Sequence, residues 1–193
     1  MTSRVTFISP AMNASLRRGR FDDGRTPLDD TGTARARAAA GTLRPAARVL
    51  TSPSLRCRET AEALGLHGPA VPELAGPDVS RWRGRTLDEV SAAEPESVGS
   101  WLTDPGHAPH GGESMREFCG RIARWLTDVE DVDGRTVAVV EPEVVRAAVL
   151  HALGMPEAAF WRLDVAPLTA TELSGRGGRW NLRLGRPVAP DAD

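Results

Sequence analysis

A small set of residues in this chain carries side chains able to do chemistry in a concave site. Glu141 and Glu143 flank a proline directly after the apolar run Thr136-Val137-Ala138-Val139-Val140. Ser9 and Asn13 follow another apolar run, Val5-Thr6-Phe7-Ile8, and Arg56 lies in "TSPSLRCRETAEAL" at Thr51 to Leu64. A carboxylate, a guanidinium, a hydroxyl and an amide could together form a polar pocket with Glu141 as a base. His107 and His110 lie in the loop "DPGHAPHGG" and could join Glu113 or Glu141 as metal ligands. No metal-ligand spacing is matched, so a solvated loop is the expectation and no metal or other cofactor is called for. His67, after Leu64-Gly65-Leu66, reads as a helix C-terminal cap, and His151 as a packed helix residue.

These residues need elements to hold them. Val5 to Ile8 and Arg48 to Leu50 read as short buried strands, and Thr136 to Val140 as the strongest strand, fit for a sheet centre. Helices are expected from Thr31 to about Gly41, from Ser52 as N-cap to about Leu66, over Thr86 to Ala93 and Pro95 to Leu102, from about Glu113 to Val129 and from Val144 to Leu153. A weak strand is expected around Val71 to Leu74. Pro167 to Leu173 and Arg179 to Leu184 read as a hairpin around Gly175-Arg176-Gly177-Gly178. Alternating strands and helices imply an α/β protein with a mainly parallel central sheet. Ligands then bind outside the carboxyl ends of the strands, here Ser9-Pro10 and Glu141-Pro142. Residues 1–185 are expected to form one domain and residues 186–193 a flexible tail.

Composition narrows the partners. The chain has 193 residues and a net charge of −2, so no global basic field favours nucleic acid or an anionic membrane. No stretch approaches a membrane span and the N-terminus lacks a signal-peptide apolar region, so a cytoplasmic location is expected. The sequence has no Lys, Tyr or Gln and is rich in Arg and Ala, the mark of a GC-rich bacterial genome. An Arg is therefore weak evidence of function. Cys57 and Cys119 read as buried small residues, and the five tryptophans as core or interface. A protein partner and a homodimer remain open.

Several segments, in order, resemble the histidine phosphatase superfamily, the phosphoglycerate mutase-like proteins. "GRFDDGRTPLDDTG" at Gly19 to Gly32 is similar to the stretch after that family's first motif. "TSPSLRCRETAEAL" resembles its Ser-Pro-x-x-Arg-x-x-x-Thr-Ala helix, and "WRG" at Trp82 to Gly84 its Trp-Glu-Gly turn. "PHGGES" at Pro109 to Ser114 resembles a Pro-x-Gly-Gly-Glu-Ser helix start, and "VAVVEPEVVRAAV" at Val137 to Val149 a Val-x-Ser-His-Gly-Gly-Val-Ile-Arg strand and helix. The resemblance implies a three-layer α/β/α sandwich. It also implies metal-free chemistry: a histidine attacks phosphorus, arginines and a second histidine hold the phosphoryl oxygens, and an acid protonates the leaving group.

Carried over by position, the nucleophile falls on Pro10, the first phosphate arginine on Ser9 and the second on Arg56. The acid falls near Gly76, with Glu73 or Asp78 as stand-ins, and the second histidine falls on Glu141. The resemblance thus implies a catalytically degenerate member, a pseudoenzyme that binds a small polar ligand or acts as a regulatory module, with Arg56, Glu141, Ser9, Asn13 and Glu113 lining the site. Arg56 and Glu141 are expected to ion-pair across the vacated phosphate site. One alternative is a diverged enzyme using Glu141 for non-phosphoryl chemistry. A second is a weak phosphomonoesterase recruiting a histidine such as His110, with a link to cobalamin or cobalt metabolism.

Overall fold

The computed structural model describes residues 2–130, 132 and 134–188. Five strands form one sheet: β1 (Ser3–Ile8), β2 (Arg48–Thr51), β3 (Arg135–Val139), β4 (Thr169–Arg176) and β5 (Arg179–Pro187), in the order β2-β3-β1-β4-β5. β1 pairs in parallel with β3, and β3 with β2. β4 runs antiparallel to β1, and β5 antiparallel to β4. Four strands therefore point one way and β4 alone points the other, a mostly parallel sheet whose geometric centre is β1 rather than β3. The apolar run at β3 is nonetheless interior, which is why both its faces are buried.

Seven α-helices accompany the described strands: α1 (Ala14–Arg17), α2 (Asp30–Ala38), α3 (Leu55–Ala63), α4 (Leu87–Ala93), α5 (Pro95–Thr103), α6 (Met115–Glu130) and α7 (Pro142–Leu153). Strand residues alternate between two faces. Val5, Phe7 and Ala138 face a core shared with Phe118, Ile122 and Leu126 of α6 and Val144 and Ala148 of α7. Ile8, Val137 and Val139 face the opposite way, onto Ala39 beyond α2 and onto Cys57 and Ala61 of α3. Helices thus cover both faces, giving the expected α/β/α layering. Among the described residues, no helix is long and apolar enough to cross a membrane.

Several expected boundaries shift, each for a local reason. Asp29, not Thr31, caps α2, its Oδ1 accepting from the Gly32 N–H at 2.6 Å. Ser52 does not cap α3: its N–H still donates to the Val139 carbonyl (2.8 Å), prolonging the sheet, and the cap passes to Ser54. The expected strand near Val71 is a 3-10 turn, Pro72–Leu74, because Pro72 has no N–H to give a ladder. α7 starts at Pro142, two residues early, since proline suits a first helical position. α3 ends through Gly65 (φ +73°) and the Leu66 N–H donating to Ala61, so His67 is no cap and is exposed. His151 is exposed too, not packed. Arg186 and Pro187 belong to β5 and Val188 is buried, contrary to a tail from residue 186; residues 189–193 of that expected tail lie outside the described residues.

Candidate functional site

Three strands deliver their carboxyl ends side by side. Ile8 sits opposite Val139 in the β1–β3 register, and Thr51 opposite Val139 in the β2–β3 register. Glu141 therefore leaves the sheet between the chains that leave β1 and β2. Above this point lies a cavity of about 470 Å³, floored by Ser52, Ser54, Arg56 and Glu141 and closed on one side by Gly76 and Pro77.

The floor is an ion pair. The Arg56 Nε donates to Glu141 Oε2 at 2.7 Å, and its Nη2 reaches the same oxygen. The Ser54 hydroxyl donates to Glu141 Oε1 at 2.5 Å, and the Cys57 thiol lies 3.4 Å from it. Both partners are almost fully buried, at 4% and 2% side-chain exposure, so the Coulomb attraction is little screened. Burial alone would pull the Arg56 guanidinium's pKa down; the charge and hydrogen bond of Glu141 outweigh it and hold the group above its ordinary value. Burial, and then the Glu141 charge, push the Cys57 thiol well up. The Ser54 Oγ also accepts from the Cys57 N–H (3.3 Å), so one hydroxyl both caps α3 and anchors the carboxylate.

The expected site residues separate into those gathered here and those used elsewhere. Arg56, Glu141 and Gly76 share the cavity; a Cβ added to Gly76 would lie 3.4 Å from Glu141 Cγ, so the loop closes directly over the carboxylate stem. Ser9 is not in the cavity. Its N–H and hydroxyl are spent on β4 and its approach, the Oγ donating to the Ala166 carbonyl at 2.5 Å. Pro10 is buried next to it. Asn13 caps α1 and ties Thr26, with Oδ1 accepting from Leu16 N–H (3.0 Å) and Nδ2 donating to the Thr26 carbonyl (3.2 Å). Glu113 pairs instead with Arg121 (2.7 Å), whose other nitrogen donates to the carbonyls of Glu73 and Ala75. It supports the loop that carries Gly76 from outside. Glu73 is exposed, and Asp78 pairs with Arg83 at 2.6 Å; neither lines the cavity.

Among the described residues, no histidine lines the cavity. His107 is exposed, but His110 is buried at 1% exposure, not solvated as its loop suggested. Its ring stands edge-on to Trp82 (5.1 Å between centroids), and its Nδ1 accepts from the Gly112 N–H. Burial lowers its pKa, and because it packs on Trp82 outside the cavity lining it is placed as a packing residue rather than a recruited nucleophile. Among the described residues, no group of three or more His, Cys, Asp or Glu is placed to hold a metal ion.

Sequence reasoning missed the other half of the cavity. Asp22 lines it, half-buried, with Oδ1 inaccessible and without a hydrogen-bond partner. Burial raises its carboxyl pKa, with Arg56 opposing and Glu141 adding to the rise. Phe21, Trp101 and Trp161 form an aromatic wall: Phe21 meets Trp101 at 5.6 Å and Trp101 meets Trp161 at 4.5 Å between ring centroids. The "FDD" at Phe21 to Asp23 reads as a turn in sequence; a signal was available in two adjacent acids following an aromatic, at the mouth of a strand-end site.

Comparison with known proteins fits this geometry. A family model for the histidine phosphatase superfamily (branch 1) matches residues 13–186. A bifunctional protein of Mycobacterium tuberculosis is 30% identical over 165 residues, covering 80% of this chain and 45% of that protein. A glucosyl-3-phosphoglycerate phosphatase of Mycolicibacterium vanbaalenii is 32% identical over 146 residues, covering 68% of this chain and 65% of that one. The chain thus spans about half the length of the first relative and about two thirds of the second. An alpha-ribazole phosphatase structure from Shigella flexneri superposes with a TM-score of 0.84 over 98% of this chain and 99% of its own, at 21% identity, a likeness of fold alone.

Proposed function

This chain belongs to the histidine phosphatase superfamily, and from that premise we propose that it is a member without phosphohistidine chemistry, whose strand-end cavity binds a small molecule. The observation that carries this reading is the buried Arg56–Glu141 pair. A guanidinium at this place serves a phosphoryl group by offering unpaired charge and donors. Here the carboxylate of Glu141 takes the Nε and Nη2 donors. A phosphoryl oxygen brought to about 4 Å from Glu141 would meet a repulsion of order 4 kcal/mol at an effective dielectric near 20, roughly a thousandfold in affinity. The absence of a histidine from the cavity lining, among the described residues, supports the same reading, since the family's phosphorylated intermediate forms on a histidine.

A diverged enzyme with Glu141 as general base finds less support. Both carboxylate oxygens are already engaged by donors from Arg56, Ser54 or Cys57 rather than turned free toward the cavity. Nothing in the cavity lining selects a cobalamin precursor.

The test is turnover of p-nitrophenyl phosphate by the purified protein, with Arg56→Ala as control. No turnover above the control is expected. Phosphate release that Arg56→Ala abolishes would overturn the reading.

A further inference from the structure

The charges around the cavity cancel in pairs, with one exception. Arg56 is matched by Glu141, Arg83 by Asp78 at 2.6 Å, and Glu143 by Arg146 at 3.7 Å. Asp23 is satisfied by the backbone N–H groups of Arg25 and Thr26, both at 2.9 Å, and by the Thr26 hydroxyl. Arg20, also on the wall, donates to the Gly84 carbonyl. Asp22 has neither an ion-pair partner nor a hydrogen bond to its buried Oδ1. Counting Arg20 against Asp22 and Asp23, the cavity keeps one net negative charge. A half-buried carboxylate whose buried oxygen lacks a partner is costly, and the Arg56 charge and the Gly24 N–H relieve it only in part, since burial still holds its pKa above the ordinary value.

The walls are the second, independent observation. Beside Asp22 stand Phe21, Trp101 and Trp161, and the mouth is edged by Leu87 and Leu102, which remain 41% and 46% exposed. Large apolar side chains are otherwise seldom so exposed on this molecule: among the described residues only Leu153 joins them. An open apolar rim, an aromatic wall and a carboxylate with one unpartnered oxygen make a site for a molecule with an apolar body and a positive end.

We propose that the cavity binds an organic cation, an amine whose aromatic or aliphatic body rests on Trp101, Trp161 and the leucine rim while its ammonium meets Asp22. The inference rests on the reading above, because an intact phosphate site would favour an anion. The ammonium compensates the Asp22 carboxylate and lies within reach of aromatic faces, which attract cations. An anion would face Asp22 and Glu141 together. A neutral molecule of the same shape would cover Asp22 without pairing it.

Three probes sharing one ring decide the matter: benzylamine, benzyl alcohol and benzyl phosphate, titrated into the full chain by calorimetry with ligand-observed NMR as a second readout. Benzylamine should bind at least tenfold more tightly than benzyl alcohol. Asp22→Asn should remove that preference and leave benzyl alcohol binding unchanged, while Leu102→Ser, at the exposed rim, should weaken both by a similar few-fold. Circular dichroism of each variant checks that the fold is retained. Equal affinity for amine and alcohol, no benzylamine binding at millimolar concentration, or a preference that survives Asp22→Asn overturns the inference and leaves the loss of phosphotransfer standing. Tightest binding of benzyl phosphate together with its hydrolysis overturns the underlying reading instead.

Discussion

Replacing Glu141 by Gln keeps the side-chain volume and removes one charge from the floor of the cavity. The amide oxygen can still accept from Arg56 Nε, and the amide nitrogen can donate to Ser54 Oγ, which accepts as well as donates. What is lost is the counter-charge of a guanidinium that is only 3% exposed. Removing one partner of a buried ion pair costs about 3–5 kcal/mol, and with the hydrogen bonds conserved the lower figure, about 3 kcal/mol, applies. For a chain of this size that is a fall in Tm of roughly 6–12 °C. Urea unfolding should show the midpoint falling at unchanged slope. Arg56→Met and Glu141→Met alone should each lose about 3 kcal/mol or more, while the double variant Arg56→Met/Glu141→Met, which leaves no buried charge, should lie within about 1.5 kcal/mol of the original protein, so the pair couples by about 4.5 kcal/mol or more. Inorganic phosphate should raise the Tm of Glu141→Gln but not of the unaltered protein, because only the variant offers Arg56 without a counter-ion. A loss under about 1 kcal/mol for Glu141→Gln, or a double variant as unstable as the sum of the singles, refutes the reasoning.

Asp22→Asn is expected to stabilise the fold at neutral pH. Burial raises this carboxyl above its ordinary 3.8, and the groups facing it are Arg56, Glu141, Asp23 and the Gly24 N–H. The folded state therefore holds the proton more tightly than the unfolded state. The contribution of that proton is full below the unfolded value and is lost as pH rises through the folded one, so the gain in Tm from Asn should appear at pH 7 and vanish toward pH 3. Ser54→Ala removes both a helix cap and a donor to Glu141 and should cost about 2 kcal/mol by urea unfolding. Native protein should react slowly with iodoacetamide at pH 8: burial pushes the Cys57 thiol well up and the Cys119 thiol up to about 12, and both should label rapidly in denaturant, as read by intact mass.

The order of most elements was legible because β1, β2 and β3 carry short apolar runs, β4 and β5 flank a glycine-rich turn, and the longer helices have a cap or a proline at their start; the single-turn α1 was not anticipated. The caps themselves slipped by two residues where the sheet claimed an N–H first, as at Ser52. Arg56 and Glu141 were legible as partners because strand ends in an open α/β sheet converge on one crevice. Ser9 and Asn13 were misplaced because hydroxyl and amide side chains bond locally wherever a donor or acceptor is near. Ser9 finds the Ala166 carbonyl and Asn13 the Leu16 N–H before either can face the cavity.

The chain of amino acids by itself determined the α/β class and the pair at the strand ends, since these depend on residue type and local periodicity. Only the tertiary structure decided that His110 is packed among tryptophans, that Glu113 braces a loop, and that Asp22 shares a cavity with Trp101 and Trp161. Those facts depend on segments far apart in sequence meeting in space. No periodicity within one segment reports what a distant segment will place against it.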